Sequence, residues 1–345
     1  MPPIDLRSDT VSHPSPAMRL AMSTAAVGDD GFGDDPTVKA LEALAARRLG
    51  KEAALLVASG TMGNLVALLT HAERGNEVIV GDRSHILRSE VAGAAALGRI
   101  QLRPLANGPR GELDPAQARA TVRAVDVHFP TTALICLENT HNACNGAALS
   151  RADMAPIAAV ARAAGIAFHI DGARIFNAAV ALGVDPADLV ADADTVQFCL
   201  SKGLACPIGS LIVGSGEFIG RARRYRQMVG GAMRQAGIVA AAGIVALEEM
   251  VDRMAEDHAN ARRLAEGLAS IPGVVCDPSV VETNIIFYSV SGPAASGFVE
   301  RLRGRGVLVG VNRMVTHYGI TAAHVADALE AIRAAVHEPA LVPAT

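Results

Sequence analysis

A lysine and an aspartate, each at the end of a short apolar run, carry the clearest chemical signal in this chain of 345 residues. Lys202 follows the run 195–200, and Asp171 follows the run 166–170. A buried amine can form a Schiff base with a carbonyl cofactor, and a nearby carboxylate can keep a pyridine nitrogen protonated. Pyridoxal phosphate (PLP) requires these two groups from a protein. We therefore predict that Lys202 carries the Schiff base and that Asp171 binds the pyridinium nitrogen, which makes both residues catalytic.

Both residues also have a purely structural interpretation. A lysine at a strand end is often a solvated cap, and an aspartate there often caps the following helix. The apolar Phe198 before Lys202 and Gly203 after it favour a buried setting for the lysine. Asp171 lies at the carboxyl end of a predicted strand, where open α/β sheets bind ligands. We therefore favour the chemical interpretation for both.

A turn of small residues upstream is suited to binding a phosphate. The segment 59–64, Ser-Gly-Thr-Met-Gly-Asn, follows a predicted strand and opens a predicted helix. Free backbone N–H groups and the positive end of the helix dipole would face one point there. Many strand–turn–helix junctions use small residues only for packing, so that alternative stays open for the turn by itself. If the turn binds the cofactor phosphate, Gly60 and Thr61 are the expected contacts.

Six segments, in a fixed order along the chain, give this pattern a family likeness. They are Leu6-Arg7-Ser8-Asp9-Thr10-Val11, Val27-Gly28-Asp29-Asp30 with Asp34-Asp35-Pro36-Thr37-Val38, Ser59-Gly60-Thr61-Met62-Gly63-Asn64, Leu137-Glu138-Asn139-Thr140-His141-Asn142, Asp171-Gly172-Ala173-Arg174 and Ser201-Lys202-Gly203. Together they resemble the low-specificity L-threonine aldolases, PLP enzymes with the aspartate aminotransferase fold, over nearly the whole chain. The resemblance implies PLP fold type I, an α/β fold with a mostly parallel seven-stranded sheet, helices on both faces and a smaller α+β C-terminal domain.

The resemblance also implies a site for the carboxylate of an amino-acid substrate. It assigns Arg174 and Arg313 to this carboxylate, together with the hydroxyl of Ser8. Arginine suits the role because its planar guanidinium offers paired N–H donors. Arg174 could instead contact the cofactor near its ring hydroxyl, and Arg313, taken alone, would be an ordinary surface arginine. The resemblance favours substrate binding for both.

Two histidines are candidates for the base that removes the proton of a substrate hydroxyl. His85 follows a predicted strand end, and the resemblance implies that it stacks on the PLP ring, close to the position of a β-hydroxyl. His128 lies in a predicted loop, and the resemblance places it near the substrate side chain. Either could act directly or through water, and the sequence leaves the choice open.

A basic segment interrupted by glycines, residues 223–235, is the remaining family feature. The resemblance implies that Arg234 reaches across a subunit interface to the cofactor phosphate of the neighbouring subunit, and the alternative is a solvated helix end. The chain departs from the family at two positions, because many relatives have a lysine where Gln227 stands and a tyrosine where Phe32 stands. We expect these departures to affect substrate preference or cofactor affinity.

The elements that must position these residues follow from the apolar pattern. Short apolar runs between helical patterns predict a buried, mostly parallel sheet with helices on both faces. The predicted strands are 53–58, 77–81, 132–138, 166–170, 195–200 and 208–213. The predicted helices are 37–49, 61–71 and 151–164, and Gly165 ends the last of them.

A different pattern begins near residue 240. It predicts one long helix that ends near Pro272 and Gly273, followed by a strand at 284–290, a helix at 295–303, a strand at 307–311 and a helix at 322–336. We therefore predict a large PLP-binding domain with the N-terminal segment, residues 1–240, and a small α+β domain, residues 241–345. The last residues, with Pro339 and Pro343, are expected to be loosely held.

Composition argues against several other classes of protein. With 50% hydrophobic and 19% charged residues the chain is an ordinary globular protein, and its net charge of −4 gives no reason to expect nucleic acid or membrane as a partner. The apolar stretches are too short to span a bilayer, and the N-terminus lacks the pattern of a signal peptide. Five scattered cysteines indicate neither a disulfide scaffold nor a metal site. We predict a cytoplasmic protein without a metal.

The residues and the resemblance together predict a homodimeric or homotetrameric PLP-dependent aldolase with active sites at the subunit interface. Its substrates would be L-threonine, L-allo-threonine and related β-hydroxy-α-amino acids, which it would cleave to glycine and an aldehyde. Two alternatives stay open. One is a β-eliminating amino-acid lyase of the same fold, and the other is a catalytically silent PLP-fold binding protein.

Overall fold

The computed structural model describes residues 2–338, which contain thirteen strands and fourteen α-helices. The strands are β1 (Ile4–Asp5), β2 (Ala53–Val57), β3 (Glu77–Gly81), β4 (Gln101–Leu105), β5 (Thr132–Glu138), β6 (Ala167–Asp171), β7 (Thr195–Cys199), β8 (Ser210–Gly214), β9 (Val274–Val275), β10 (Ile285–Phe287), β11 (Ser289–Val290), β12 (Val307–Leu308) and β13 (Arg313–Val315). The helices are α1 (Pro16–Ser23), α2 (Pro36–Arg48), α3 (Gly60–His71), α4 (His85–Arg88), α5 (Gly93–Ala96), α6 (Pro115–Thr121), α7 (Arg151–Ala164), α8 (Ile175–Leu182), α9 (Pro186–Leu189), α10 (Gly216–Met228), α11 (Gly237–Glu249), α12 (Met254–Ala269), α13 (Phe298–Gly304) and α14 (Ala322–His337).

Seven of the strands form one sheet, in the order β2-β8-β7-β6-β5-β3-β4. Strand β8 runs antiparallel to both of its neighbours, and the other six strands share one direction. This confirms the predicted mostly parallel, seven-stranded α/β sheet. Because the strands other than β8 are parallel, their carboxyl ends lie along the same edge of the sheet.

Helices cover both faces of this sheet, as predicted. In β2, Ala54 and Leu56 belong to the largest core cluster, whereas Leu55 and Val57 pack with α3 and α10 on the opposite face. Alternate side chains of a strand point to opposite faces, so both faces must be apolar when both are covered. Burial of each leucine contributes about 2 kcal/mol. This packing anchors the strand ends that carry the site.

The edge strand β4 is the strand of the seven-stranded sheet that was not predicted from the sequence. Its sequence, Gln-Leu-Arg-Pro-Leu, contains no apolar run, and the strand pairs with β3 alone. No residue of β4 is fully buried. Proline is tolerated on edge strands, where one side of the strand has no hydrogen-bonded neighbour. A strand of this kind lacks the pattern by which buried strands are found.

Helix starts and ends follow side-chain signals. Helix α7 has the predicted bounds because Ser150 and Asp153 form a capping box at its start and Gly165, with φ of 66°, ends it. Helix α2 begins after Asp35, whose carboxylate accepts the backbone N–H groups of two residues in its first turn. The same carboxylate accepts the N–H of Gly237 at 2.8 Å, at the start of α11. Asp35 therefore acts as a structural cap that joins two helices.

The predicted long helix after residue 240 is wrong, because two helices, α11 and α12, occupy this part of the chain. Helix α11 packs on α1 and α2, whereas α12 packs on α14. The residues between them, Met250 and Val251, belong to the large core cluster, while Ala261 and Leu264 of α12 belong to a second cluster. The break therefore lets the chain pass from one hydrophobic core to the other.

The C-terminal part contains three small two-stranded sheets, β1 with β12, β10 with β13 and β9 with β11. The predicted strand at 284–290 is two short strands with different partners, and β13 was not predicted. Strand β1 pairs with β12 and Leu6 lies in the second core cluster, so the start of the chain packs with its C-terminal part. The domain division at residue 240 stays a prediction.

Two further sequence predictions concern the last residues of the chain and membrane-spanning segments. Pro339 and Pro343, expected to be loosely held, lie outside the described residues. Within residues 2–338, none of the helices has the length and apolar character that crossing a bilayer requires.

Candidate active site

A cavity of about 210 Å³ lies where the carboxyl ends of the parallel strands meet. Its walls come from the ends of β6 and β7, from the start of α3, and from α4 and the segment after it. The lining residues are Thr10, Ser59, Gly60, Thr61, Asn64, His85, Glu90, Asp171, Ala173, Gln197, Cys199, Ser201 and Lys202. Five of the predicted site residues, Gly60, Thr61, His85, Asp171 and Lys202, are thus brought together.

Lys202 is one of only three lysines in the sequence, with Lys39 and Lys51. Lys39 is exposed on α2, and the amine of Lys51 donates to the carbonyl oxygens of Val190 and Ala193. Lys202 is partly buried and lines the cavity. No other lysine is available there to form a Schiff base.

Asp171 is 2% exposed and has a fixed orientation. Its Oδ2 accepts the side-chain amide of Asn64 at 2.9 Å, and its Oδ1 accepts the N–H of Ala173 at 3.2 Å. Helix α8 begins after Arg174, so Asp171 is not the cap of that helix. A carboxylate oxygen can accept a further hydrogen bond. Asp171 can therefore bind a pyridinium N–H without losing these contacts.

The glycines in the first turn of α3 are required because strand β7 lies against them. A Cβ atom on Gly60 would lie 2.7 Å from Sγ of Cys199, and one on Gly63 would lie 2.6 Å from Cγ of Gln197. Glycine therefore brings the first turn of α3 against the strand that leads to Lys202. The hydroxyl of Ser59 accepts the N–H of Met62, and the earlier N–H groups of the helix remain for an anion. The donor set suits the phosphate of PLP.

His85 begins helix α4 at the cavity wall. Its Nδ1 lies 2.9 Å from Oε1 of Glu90, and its backbone N–H donates to Oε2 of Glu138 at 2.7 Å. The hydrogen bond to Glu90 raises the pKa of His85, with burial opposing and Asp171 adding to the rise. Neither glutamate was predicted to be part of the site. Glu138 lies within a quoted family segment, but nothing in the local sequence marks Glu90.

Three carboxylates lie close together on this side of the cavity. Burial, followed by the charge of Asp171, raises the pKa of Glu138 to about 7 and also raises the pKa of Glu90. Ligand atoms of His85, Glu90 and Asp171 lie within 4.8 Å of one another, which is a spacing that a metal ion could use. The amide of Asn64 already donates to both carboxylates. The absence of a resident metal stays a prediction.

The two predicted carboxylate-binding arginines lie next to each other, and neither is among the residues that line the cavity. Arg174 donates to Asp9 through Nε at 2.6 Å and Nη2 at 2.7 Å, and both Arg174 and Arg313 donate to Oδ1 of Asn142, at 3.2 and 2.8 Å. Burial and the charge of Arg174 lower the pKa of Arg313 to about 10. Burial would raise the pKa of Asp9, but the charge of Arg174 holds it well below its usual range.

The arginine pair has spare donors. Nε of Arg313 is buried and has no hydrogen-bond partner among residues 2–338. A buried donor without a partner is costly, and Asn142 offers the pair only a neutral oxygen. An anion such as a substrate carboxylate would supply the missing acceptor. The roles of Asp9 and Asn142 were missed, although both lie in quoted family segments.

Four further residues that the sequence analysis singled out lie away from the cavity of their own chain. The side chain of His128 is 81% exposed and its Nδ1 is bonded to Asp126. Arg234 is 67% exposed and lies 3.4 Å from Asp29, and Phe32 and Gln227 are exposed as well. The roles given to these side chains stay predictions.

Ser8 is also outside the cavity lining. Its hydroxyl caps a short 3-10 turn, Asp9–Val11, by accepting the N–H of Thr10. Ser8 adjoins Asp9, the partner of Arg174. Its predicted contact with a substrate carboxylate stays a prediction.

Known proteins that resemble this chain define its family. A family model described as beta-eliminating lyase matches residues 5–291. The chain is 45% identical over 327 residues to the low specificity L-threonine aldolase of Escherichia coli (strain K12), covering 94% of this chain and 96% of the relative. It is 44% identical over 333 residues to low-specificity L-threonine aldolase 1 of Arabidopsis thaliana, covering 93% of both chains.

Two solved structures share the fold. A threonine aldolase from Leishmania major superposes with a TM-score of 0.81 at 17% identity, covering 97% of this chain and all of the other. A serine palmitoyltransferase from Sphingomonas wittichii superposes with a TM-score of 0.77 at 18% identity, covering 96% and 87%. At these identities the likeness concerns the fold alone.

The fold and the site define a PLP-dependent enzyme of fold type I. Within that class, the chain belongs to the low-specificity L-threonine aldolases. The predicted family, fold and cofactor are confirmed.

Proposed function

We propose that this protein is an aldolase that cleaves L-threonine, L-allo-threonine and related β-hydroxy-α-amino acids to glycine and an aldehyde. The observation that carries the proposal is the convergence of Lys202, Asp171 and His85 on one cavity. A carbon–carbon lyase of this kind needs an amine, an acid on the cofactor and a base for the hydroxyl.

Each residue has one task in this reaction. Lys202 would hold PLP, which would supply the acceptor for the electron pair left at the substrate's α-carbon. Asp171 holds the proton on the ring nitrogen, and Arg174 and Arg313 bind the substrate carboxylate and so orient the bond that breaks. A histidine takes the proton of the β-hydroxyl as the aldehyde forms. His85 lines the cavity, and His128 is the other candidate.

The runner-up is β-elimination, which the description of the matching family model favours. The two reactions differ in their products. L-Threonine with the purified, PLP-loaded protein should give acetaldehyde and glycine in equal amounts under the proposal, whereas β-elimination would give a 2-oxo acid and ammonia. A protein that shows cofactor absorbance but forms neither pair of products would be a silent binding protein.

We further propose a homodimer or homotetramer in the cytoplasm, with active sites at the subunit interface. Exposed apolar side chains, among them Phe32, Val91 and Met228, support an oligomer. Arg234 lies outside the cavity of its own chain, which is compatible with a role across an interface. The cysteines are free thiols, as a reducing compartment would keep them.

A further inference from the structure

We propose that Glu90 is a positioning residue for His85: it holds the proton of the ring on Nδ1 and leaves Nε2 to accept the proton of the substrate's β-hydroxyl. The proposal deepens the aldolase function and rests on it. It also names His85, and not His128, as the base in this chain.

The first support is the set of contacts around Glu90. The residue is 6% exposed, and one of its oxygens, Oε1, lies 2.9 Å from Nδ1 of His85 and accepts from the amide of Asn64 at 2.8 Å. A carboxylate can accept both bonds without a proton of its own. We therefore assign the proton of the His85–Glu90 bond to Nδ1, which leaves the lone pair of the neutral ring on Nε2.

The second support is that Asn64 cannot reverse its amide. Its nitrogen donates to Glu90 and to Oδ2 of Asp171, at 2.8 and 2.9 Å, and a reversed amide would place its oxygen against two carboxylate oxygens. The oxygen of Asn64 instead faces Nε2 of His169 at 3.3 Å. Burial lowers the pKa of His169 to about 3, so its ring is neutral, and its Nδ1 lies 2.9 Å from the hydroxyl oxygen of Thr195. Oε1 of Glu90 is thus an acceptor for Asn64, the same oxygen that contacts His85.

The backbone after Glu90 adds a third support. Val91 and Ala92 both have left-handed conformations, with φ of 52° and 53°, which side chains other than glycine rarely adopt. The turn sends Val91 out to solvent, where it is 94% exposed, while Glu90 stays buried. Strained backbone of this kind persists where the surrounding structure holds it, often at functional sites.

The charges around His85 come from four elements. Glu90 follows α4, Asp171 ends β6, Lys202 follows β7, and Glu138, at the end of β5, accepts the backbone N–H of His85. The negative groups favour the protonated ring, and Lys202 opposes it. In the reaction, the β-hydroxyl proton moves to Nε2, the O–H electron pair forms the carbonyl, and the electron pair of the broken Cα–Cβ bond stays at Cα until a proton adds there. Glu90 stabilises the charge that His85 gains.

His128 has no comparable setting. Its side chain is 81% exposed, and its partner, Asp126, is exposed as well. An ion pair in solvent is worth little and restrains the ring only weakly.

The test compares Glu90→Gln with a matched control, Glu77→Gln. Glu77, the first residue of β3, is also a buried glutamate. It accepts hydrogen bonds from Thr132, Arg103 and Arg123 and lies outside the cavity. Two quantities are measured in PLP-loaded protein: the pH profile of kcat/KM for L-threonine, and the titration of His85 by NMR with ¹³C-labelled histidine. The titration is repeated without PLP, and a His85→Gln variant assigns the resonance.

We expect Glu90→Gln to lower the titration midpoint of His85 by about one pH unit and to move the acidic limb of the profile to lower pH. The maximal kcat/KM should fall about 10- to 100-fold. Glu90→Asp, which keeps the charge, should restore most of the midpoint, and Glu77→Gln should leave both midpoint and limb unchanged. If Glu90→Gln does not fold, as judged by thermal unfolding, Glu90→Asp decides the matter, because its shorter side chain should still lower the midpoint in part while Glu77→Gln does not. An unchanged midpoint in Glu90→Asp would then overturn the proposal.

An unchanged His85 midpoint in Glu90→Gln, or an equal shift in Glu77→Gln, would overturn the proposal. So would a loss of rate without movement of the acidic limb, because a merely structural residue would have that effect. If the unmodified protein releases no aldehyde from L-threonine, the proposed function fails, whereas the titration without PLP still decides the contact between Glu90 and His85.

Discussion

The two sides of the active site differ in charge and in how completely their hydrogen bonds are satisfied. On the cofactor side, Asp171, Glu90 and Glu138 crowd together, and the amide of Asn64 joins two of them. On the side that we propose binds the substrate, Arg174 and Arg313 share one neutral oxygen of Asn142, and the buried Nε of Arg313 has no partner among the described residues.

This difference separates a preorganised side from one that needs a ligand. The carboxylates hold their geometry through contacts within the protein, so they can fix the cofactor ring and His85 before the substrate arrives. Asp9 balances only one of the two arginine charges, and burial, followed by the charge of Arg174, lowers the pKa of Arg313. A substrate carboxylate would complete the second side.

The largest expected effect comes from removing the amine between the two sides. Lys202→Ala should abolish turnover and the borohydride trapping of PLP, because neither of the other lysines lines the cavity. Lys39→Ala, on the surface of α2, is the control and should keep both. PLP trapped on the Lys202→Ala protein would show that the assignment is wrong.

A smaller loss is expected when the charge of the preorganised side is altered. Asp171→Asn should keep PLP bound but lower kcat by about 10²- to 10³-fold, because a neutral amide no longer holds the proton on the ring nitrogen. Asp114→Asn, at the exposed start of α6, is a control that changes the same groups far from the site. Activity within a few-fold of the unmodified protein would make Asp171 a structural residue.

The ion pair between Asp9 and Arg174 should also contribute to the stability of the fold. Asp9→Asn leaves the buried Arg174 without its counter-ion and should lower the free energy of unfolding at pH 7 by about 3 kcal/mol. The pKa of Asp9 is held below its ordinary value of 3.8, so its stabilisation is present above that pH and is lost as the pH falls below it. In denaturant titrations, the difference between the two proteins should therefore shrink below pH 4. A difference that stays constant between pH 7 and pH 3 would contradict the role of the charge.

The sequence predicted those parts of the site that depend on local pattern. Asp171 ends one buried strand and Lys202 follows another. The glycines at the start of α3 come just after a third buried strand, β2. The positions of all these residues could therefore be inferred from apolar runs. The chain's six buried sheet strands were predicted to within two residues, while the half-exposed edge strand β4 was not.

The remaining parts depend on contacts between distant segments. Asn64 and Asp171 are 107 positions apart, and Arg313 and Asn142 are 171 apart. Glu90 lies in a segment without regular periodicity, and its importance follows only from its position beside His85 and Asn64. The helix predicted after residue 240 is broken because its two halves pack in different cores. No local pattern in the sequence records such contacts.

The most direct test of the two-sided site compares glycine with methylamine, which is glycine without its carboxylate, as ligands of PLP-loaded protein. Dissociation constants would be measured from the cofactor absorbance for the unmodified protein and for Arg313→Ala. We predict that the substitution weakens glycine binding about 10- to 100-fold, because charge-assisted hydrogen bonds are lost, and leaves the affinities for methylamine and for PLP unchanged. Equal losses for glycine and methylamine, or no loss for glycine, would contradict the assignment of the arginine pair to the substrate carboxylate.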